Sequence, residues 1–211
     1  MYQGKTRYQD NRVADDYDRR RFTGFKGQWT DAREKHCLQK MLSRVPAGSM
    51  VLDIPCGTGR MTELLADLGM TVTAADISDS MMNHAKARSA RTHSQVRFVK
   101  ADIENLEFSD ASFEAIATIR LLHHMPSSVR ARVLSELHRV SRKWVAVTFG
   151  NKYTLQSIRR DVIAKFTGEH RYSISPQVFR REAENAGFRV VEYIPLLPII
   201  SESVFVLLEK A

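Results

Sequence analysis

The chain has 211 residues, 43% of them hydrophobic, and its 32 basic and 24 acidic side chains leave a net charge of +8. That size suits one globular domain with small additions. No apolar run approaches the roughly 18–20 residues of a membrane span, the polar N-terminus has no secretory core, and Cys37 and Cys56 are too few for a disulfide framework and lack metal-ligand spacing.

These features predict a soluble, cytoplasmic protein. The positive charge is spread along the chain, so a solvated basic surface competes with an anionic partner as its explanation. Residues 9–21 and 30–44 have helical patterning, with Asp31 placed for a first turn. Pro46 to Gly48 is a loop leading to "GSMVLDI", a short buried strand. "GRMTELLADLG" follows as a helix, with Met61, Leu64, Leu65 and Leu68 on one face and Gly69 as its stop. "MTVTAAD" is a second strand, and "SDSMMNHAKARSA" a helix capped by Ser78 or Asp79. "QVRFVKAD" and "SFEAIATI" are the third and fourth strands. "SSVRARVLSELHRVS" is a helix and "KWVAVTF" a fifth strand. Helices over 153–166 and 176–186 precede the final strands "FRVVEYI" and "SVFVLLE". Alternation of strand and helix from residue 49 to about 150 implies a parallel sheet covered on both faces.

The loop "PCGTG" then lies beyond the carboxyl end of the first strand, where open parallel sheets bind ligands. Gly57 and Gly59 permit a tight turn and close approach of a ligand. The helix that follows offers free N–H groups to an anion. A dinucleotide fingerprint needs a third glycine where Thr62 stands, and Asp53 just before the loop would repel a pyrophosphate. An acid there suits an amino acid joined to a nucleoside, since its ammonium needs a partner; alternatively, Asp53 stabilises the loop. Asp76, ending the second strand, suits two ribose hydroxyls. Asp102, after the third, suits an adenine amino group or serves as a turn residue. Ile77 and Ile103 would sandwich the ring, and Met81 meets the adenine edge or packs in the core.

The stretches "VLDIPCGTGR", "VTAADISDSMM", "FVKADIENLEFSDASFEAIATIRLLHH" and "ELHRVSRKWVAVTF", in this order, resemble the class I S-adenosylmethionine-dependent methyltransferases over residues 10–210. The resemblance implies an α/β, Rossmann-like fold: a seven-stranded, mostly parallel sheet with helices on both faces and the last strand antiparallel. Residues 1–48 would form a helical lid on a methyltransferase domain spanning 49–211. It implies S-adenosyl-L-methionine as cofactor, held by Arg21, Asp53, Gly57, Thr58, Gly59, Arg60, Asp76, Ile77, Met81, Asp102, Ile103 and Ile119. Arg21 would pair with the methionine carboxylate. Tyr17, Arg120 and His123 would face the acceptor, and His124 is the candidate general base. Solvated charge and loop packing remain the alternatives for Arg120 and the histidines. Glu114 replaces the family's frequent aspartate, and Cys56 reads as a loop filler. No metal site is expected. The loop "PLLPIISE" is either packing or a pocket wall.

The expected activity is methylation of a small-molecule acceptor, with a hydroxyl of an anionic or isoprenoid-like metabolite or of a sugar as the candidate target. The alternatives are an RNA or protein methyltransferase, and a non-catalytic S-adenosylmethionine-binding regulator.

Overall fold

Within the apolar runs, side chains alternate between two cores. On β1 (Met50–Asp53), Val51 packs into one cluster and Leu52 into the other; on β4 (Phe113–Thr118), Ala115 and Ala117 face one way and Ile116 the other. Burial on both faces is why these strands read as apolar runs. The computed structural model describes residues 17–19, 21–90, 95–167 and 172–211. The other strands are β2 (Thr71–Asp76), β3 (Arg97–Lys100), β5 (Ser141–Gly150), β6 (Phe188–Pro195) and β7 (Ser203–Lys210). All seven form one sheet in the order β3-β2-β1-β4-β5-β7-β6. Every pairing among β1 to β5 is parallel, and β7 runs antiparallel to both β5 and β6. This is the fold expected from the sequence, antiparallel last strand included.

Numbered from the first complete helix described, the helices are α1 (Gly24–Leu42), α2 (Arg60–Asp67), α3 (Asp79–Ser89), α4 (Ser127–Val140), α5 (Leu155–Thr167) and α6 (Pro176–Asn185). Cys37, Leu38 and Met41 of α1 and Leu65 of α2 cover the Val51 face. Val133, Leu134 and Leu137 of α4 and Phe179 of α6 cover the Leu52 face. Ser78 is the cap of α3, its hydroxyl accepting from the Met81 amide at 3.3 Å.

One expectation needs correction. The helix expected over 30–44 begins at Gly24, so Asp31 lies within it rather than in its first turn. Gly24 and Gly27 weaken helix propensity, but at Gly27 an added Cβ would lie 2.6 Å from the Phe22 carbonyl carbon, so close chain approach keeps that glycine. Of the helix expected over 9–21, residues 9–16 and 20 lie outside the described residues; 17–19 and 21–22 are helical. The loop after β6 is divided in its packing: Leu196 is buried, whereas Ile199 and Ile200 are exposed.

Gly59 carries the tightest constraint near the ligand loop. Its φ is +84°, and an added Cβ would lie 2.9 Å from the Ala85 Cα of α3. The glycine therefore seats α2 against α3. Gly59→Val is expected to lose cofactor binding through displacement of the loop, with titration calorimetry as the check; unchanged affinity would show that the loop tolerates the shift.

Candidate active site

Four parallel strands end at one cavity. Gly57 and Thr58 contribute from the loop after β1 and Arg60 from the start of α2, Asp76, Ile77 and Met81 from the end of β2 and the start of α3, and Asp102 and Ile103 from beyond β3. Ile119, Arg120 and Leu121 line it beyond β4, and Tyr17 faces it from the N-terminal segment. This is the carboxyl edge of the sheet, where β-strand ends and loop amides are free for a ligand.

The Asp76 carboxylate is fixed on both oxygens. One accepts from the Gly57 amide at 2.9 Å and the other from the Ser78 amide at 2.9 Å. Burial pushes its pKa up, and these backbone hydrogen bonds oppose that shift. A carboxylate has about four lone-pair positions, so acceptor capacity remains for ligand hydroxyls. Asp102 accepts from the Glu104 amide at 3.1 Å. Two carboxylates with Ile77, Ile103 and Met81 between them match a nucleoside: polar at the sugar, apolar at the base.

Asp53 lies behind this wall. It is 1% exposed, is not among the residues lining the cavity, and accepts from the Thr62 hydroxyl at 2.5 Å. It thus braces the start of α2. Burial, aided by the nearby Asp76 charge and opposed by the Thr62 hydrogen bonds, pushes its pKa up to about 7. A native pKa above the unfolded value means that the folded state holds the proton while the unfolded state releases it, so stability falls as pH rises from about 4 to 7. Asp53→Asn is therefore expected to raise the melting temperature relative to wild type at pH 8, with the difference vanishing below pH 4. Thermal scans across pH measure it; a difference independent of pH would contradict the burial account.

Two guanidinium groups border the cavity and share one buried acid. Glu34 of α1, 1% exposed, accepts from Arg120 at 2.6 Å and from Arg60 at 2.9 Å. Arg60 also donates through Nε to Asp31 at 2.6 Å. Arg120 has φ +63°, a rare conformation for a side chain with Cβ, and its amide donates to the Thr148 hydroxyl at 2.6 Å. Backbone strain held in this way concentrates at functional positions.

The N-terminal segment clasps the loop. Asp18 accepts from the Thr58 hydroxyl at 2.7 Å and pairs with Arg88, whose Nε donates to the Thr58 carbonyl at 3.0 Å. The Phe22 ring centre lies 3.3 Å from the Arg60 guanidinium carbon. Arg21 stacks on Tyr17 at 4.7 Å and is not among the cavity-lining residues.

His123 is buried and His124 half-buried on a 3-10 turn (Leu122–His124), with ring centres 4.2 Å apart. Neither lines the cavity, nor does Gly59. Burial pushes the Cys56 thiol far up, which suits a filler rather than a nucleophile. Among the described residues no group of three His, Cys, Asp or Glu side chains is placed to hold a metal, and no described helix is long and apolar enough to cross a membrane. The cluster of Asp31, Glu34, Arg60 and Arg120 was not foreseen, because its bonded acid–guanidinium partners lie 26 to 86 residues apart. Sequence signals for it were limited to the apolar neighbours of Glu34 on a helix otherwise facing the core.

A family model described as a methyltransferase domain matches residues 51–143. The ubiquinone biosynthesis O-methyltransferase of Xanthomonas axonopodis pv. citri is 28% identical over 166 residues, covering 72% of this chain and 67% of the relative. That of Dechloromonas aromatica is 28% identical over 162 residues, covering 70% and 68%. The chain thus spans about two thirds of the length of these relatives. Among solved structures, magnesium protoporphyrin IX methyltransferase from Synechocystis PCC 6803 with bound SAH has a TM-score of 0.81 at 18% identity, covering 98% of this chain and all of the other. The same enzyme with bound SAM has a TM-score of 0.76, covering 100% and 99%.

Proposed function

We propose that this chain is a class I S-adenosylmethionine-dependent methyltransferase that methylates a hydroxyl on a small, anionic acceptor. The observation that carries the proposal is Arg120, held in a strained conformation on the wall that also presents Asp76 and Tyr17. A guanidinium at that place gives an anionic group on the acceptor a charge-assisted partner. The word O-methyltransferase in the names of the 28% identical relatives supports an oxygen acceptor.

The residues present fit the cofactor: Asp76 for the ribose, Asp102 for the adenine amino group, Ile77 and Ile103 for the ring faces. When bound, S-adenosylmethionine supplies a methyl group on a positively charged sulfur. The chain's own task is alignment and exclusion of water. Asp18 and Phe22 draw the N-terminal segment over Thr58 and Arg60 as a lid, and a closed, dry site favours loss of charge. Arg120 and Tyr17 orient the acceptor within reach of the cofactor. His124 does not line the cavity, but its turn adjoins the wall, its amide donating to the carbonyl of the cavity-lining Leu121 at 2.9 Å, and it is the base proposed for the hydroxyl proton of an acceptor that enters beside that turn.

Labelled S-adenosylmethionine incubated with metabolite extract identifies the acceptor. The expected product is a small acidic molecule. Arg120→Met is then expected to raise the acceptor KM by about tenfold or more, the loss of a hydrogen bond to a charged group. His124→Ala is expected to reduce kcat roughly 10²-fold or more, the usual contribution of a general base. Label appearing in RNA, with activity falling steeply as salt rises, would replace the small-molecule proposal with a nucleic-acid one.

A further inference from the structure

Helix α5 turns its apolar side chains to solvent. Leu155, Ile158 and Val162 are 61%, 57% and 53% exposed, while Ser157 is fully buried. At 100° per residue these three apolar side chains fall within a stripe about 60° wide, with Ser157 and Ala164 on the opposite side. Ala164 is half-buried. The face set against the body is thus the small and polar one, the reverse of a surface helix serving a core.

The loop after β6 extends this stripe. The Leu155 amide donates to the Ile199 carbonyl at 2.9 Å and the Gln156 amide to the Ile200 carbonyl at 3.1 Å. Ile199 and Ile200 are 73% and 54% exposed, and Tyr153, just before α5, is 63% exposed. Gly150 at the end of β5 pairs with Ser203 at the start of β7, so the patch lies at the carboxyl edge of the sheet, as does the cavity. Apolar groups gathered in one patch, unlike scattered ones, mark a surface with a partner.

Charge identifies the partner. Residues 152–165 contain Lys152, Arg159, Arg160 and Lys165 against Asp161 alone. Among the described side chains Lys152 and Arg159 are exposed on this face, as is Asp161, and Arg160 pairs with Glu202. Arg159 lies at the border of the apolar stripe. We infer that this face seats on an anionic lipid bilayer, its apolar stripe in the headgroup boundary and its basic side chains against lipid phosphates. A second copy of the chain fits less well: a standard protein interface takes about 20–30 residues a side, and twofold packing would set Arg159 near its own copy. The inference does not depend on the acceptor proposed above.

Co-sedimentation of the full chain with vesicles tests it. The chain is expected to pellet with phosphatidylcholine vesicles that contain phosphatidylglycerol, less so as salt rises, and little with phosphatidylcholine alone. Ile158→Asp combined with Val162→Asp is expected to cut the bound fraction about tenfold or more, with binding of S-adenosylhomocysteine unchanged as evidence of an intact fold. Wild-type chain left in the supernatant, or a double variant that pellets as wild type does, would overturn the proposal. Equal pelleting with both vesicle types would overturn the requirement for anionic lipid. A wild-type dimer that the double variant dissolves, without vesicle binding, would assign the face to a second copy instead.

Discussion

Asp76→Ala is expected to weaken binding of S-adenosylmethionine by about 1.5–3 kcal/mol, the range for hydrogen bonds to a charged group. Two causes act together. The ribose hydroxyls lose their acceptor, and the Gly57 and Ser78 amides lose the oxygens that fix the loop. Asp76→Asn keeps the shape and one acceptor, so its loss should be smaller. The raised pKa of Asp76 adds a pH signature. The hydroxyls favour the ionised carboxylate, so affinity is present at neutral pH and is lost as pH falls into the acidic range, earlier than for an ordinary aspartate. Calorimetry on both variants measures this; equal affinity in Asp76→Ala and wild type would remove the ribose assignment.

Glu34→Ala is expected to cost about 3–5 kcal/mol of stability, the usual result of removing one partner from a buried charged group. Glu34 is 1% exposed and accepts from two guanidiniums. Arg60 keeps Asp31 as a partner, but the Glu34 site then leaves positive charge beside positive charge. The same change loosens Arg120 from the cavity wall, so acceptor affinity should fall along with stability. Denaturant unfolding reads the first effect. A loss below about 1 kcal/mol would mean that water replaces the carboxylate without difficulty.

The strands were legible because burial on both faces leaves short apolar runs bounded by turns: Val51 and Leu52 are both buried, in adjacent letters. Asp76, Ile77, Asp102 and Ile103 were legible as cavity residues because each follows a strand end, and in a parallel sheet all such ends share one edge. What escaped was non-local. Asp53 sits in the expected place, yet its hydrogen bond to Thr62 sets it behind the wall rather than on it. Glu34, Arg60 and Arg120 meet across three elements that no sequence window contains. The turn at His124 depends on backbone angles beyond β4, so residue spacing alone did not fix which side chains reach the cavity. Helix α5 has an ordinary helical pattern, and the pattern does not say which face meets the body.

The cavity at the carboxyl ends of β1, β2, β3 and β4 is assigned to S-adenosylmethionine. Titration of S-adenosylhomocysteine into the full chain, with NADH as the control, tests it most directly. The account predicts saturable one-to-one binding of S-adenosylhomocysteine that Asp76→Ala weakens, and no comparable heat with NADH. Binding of NADH at similar strength, or no binding of S-adenosylhomocysteine to a folded wild-type chain, would contradict it.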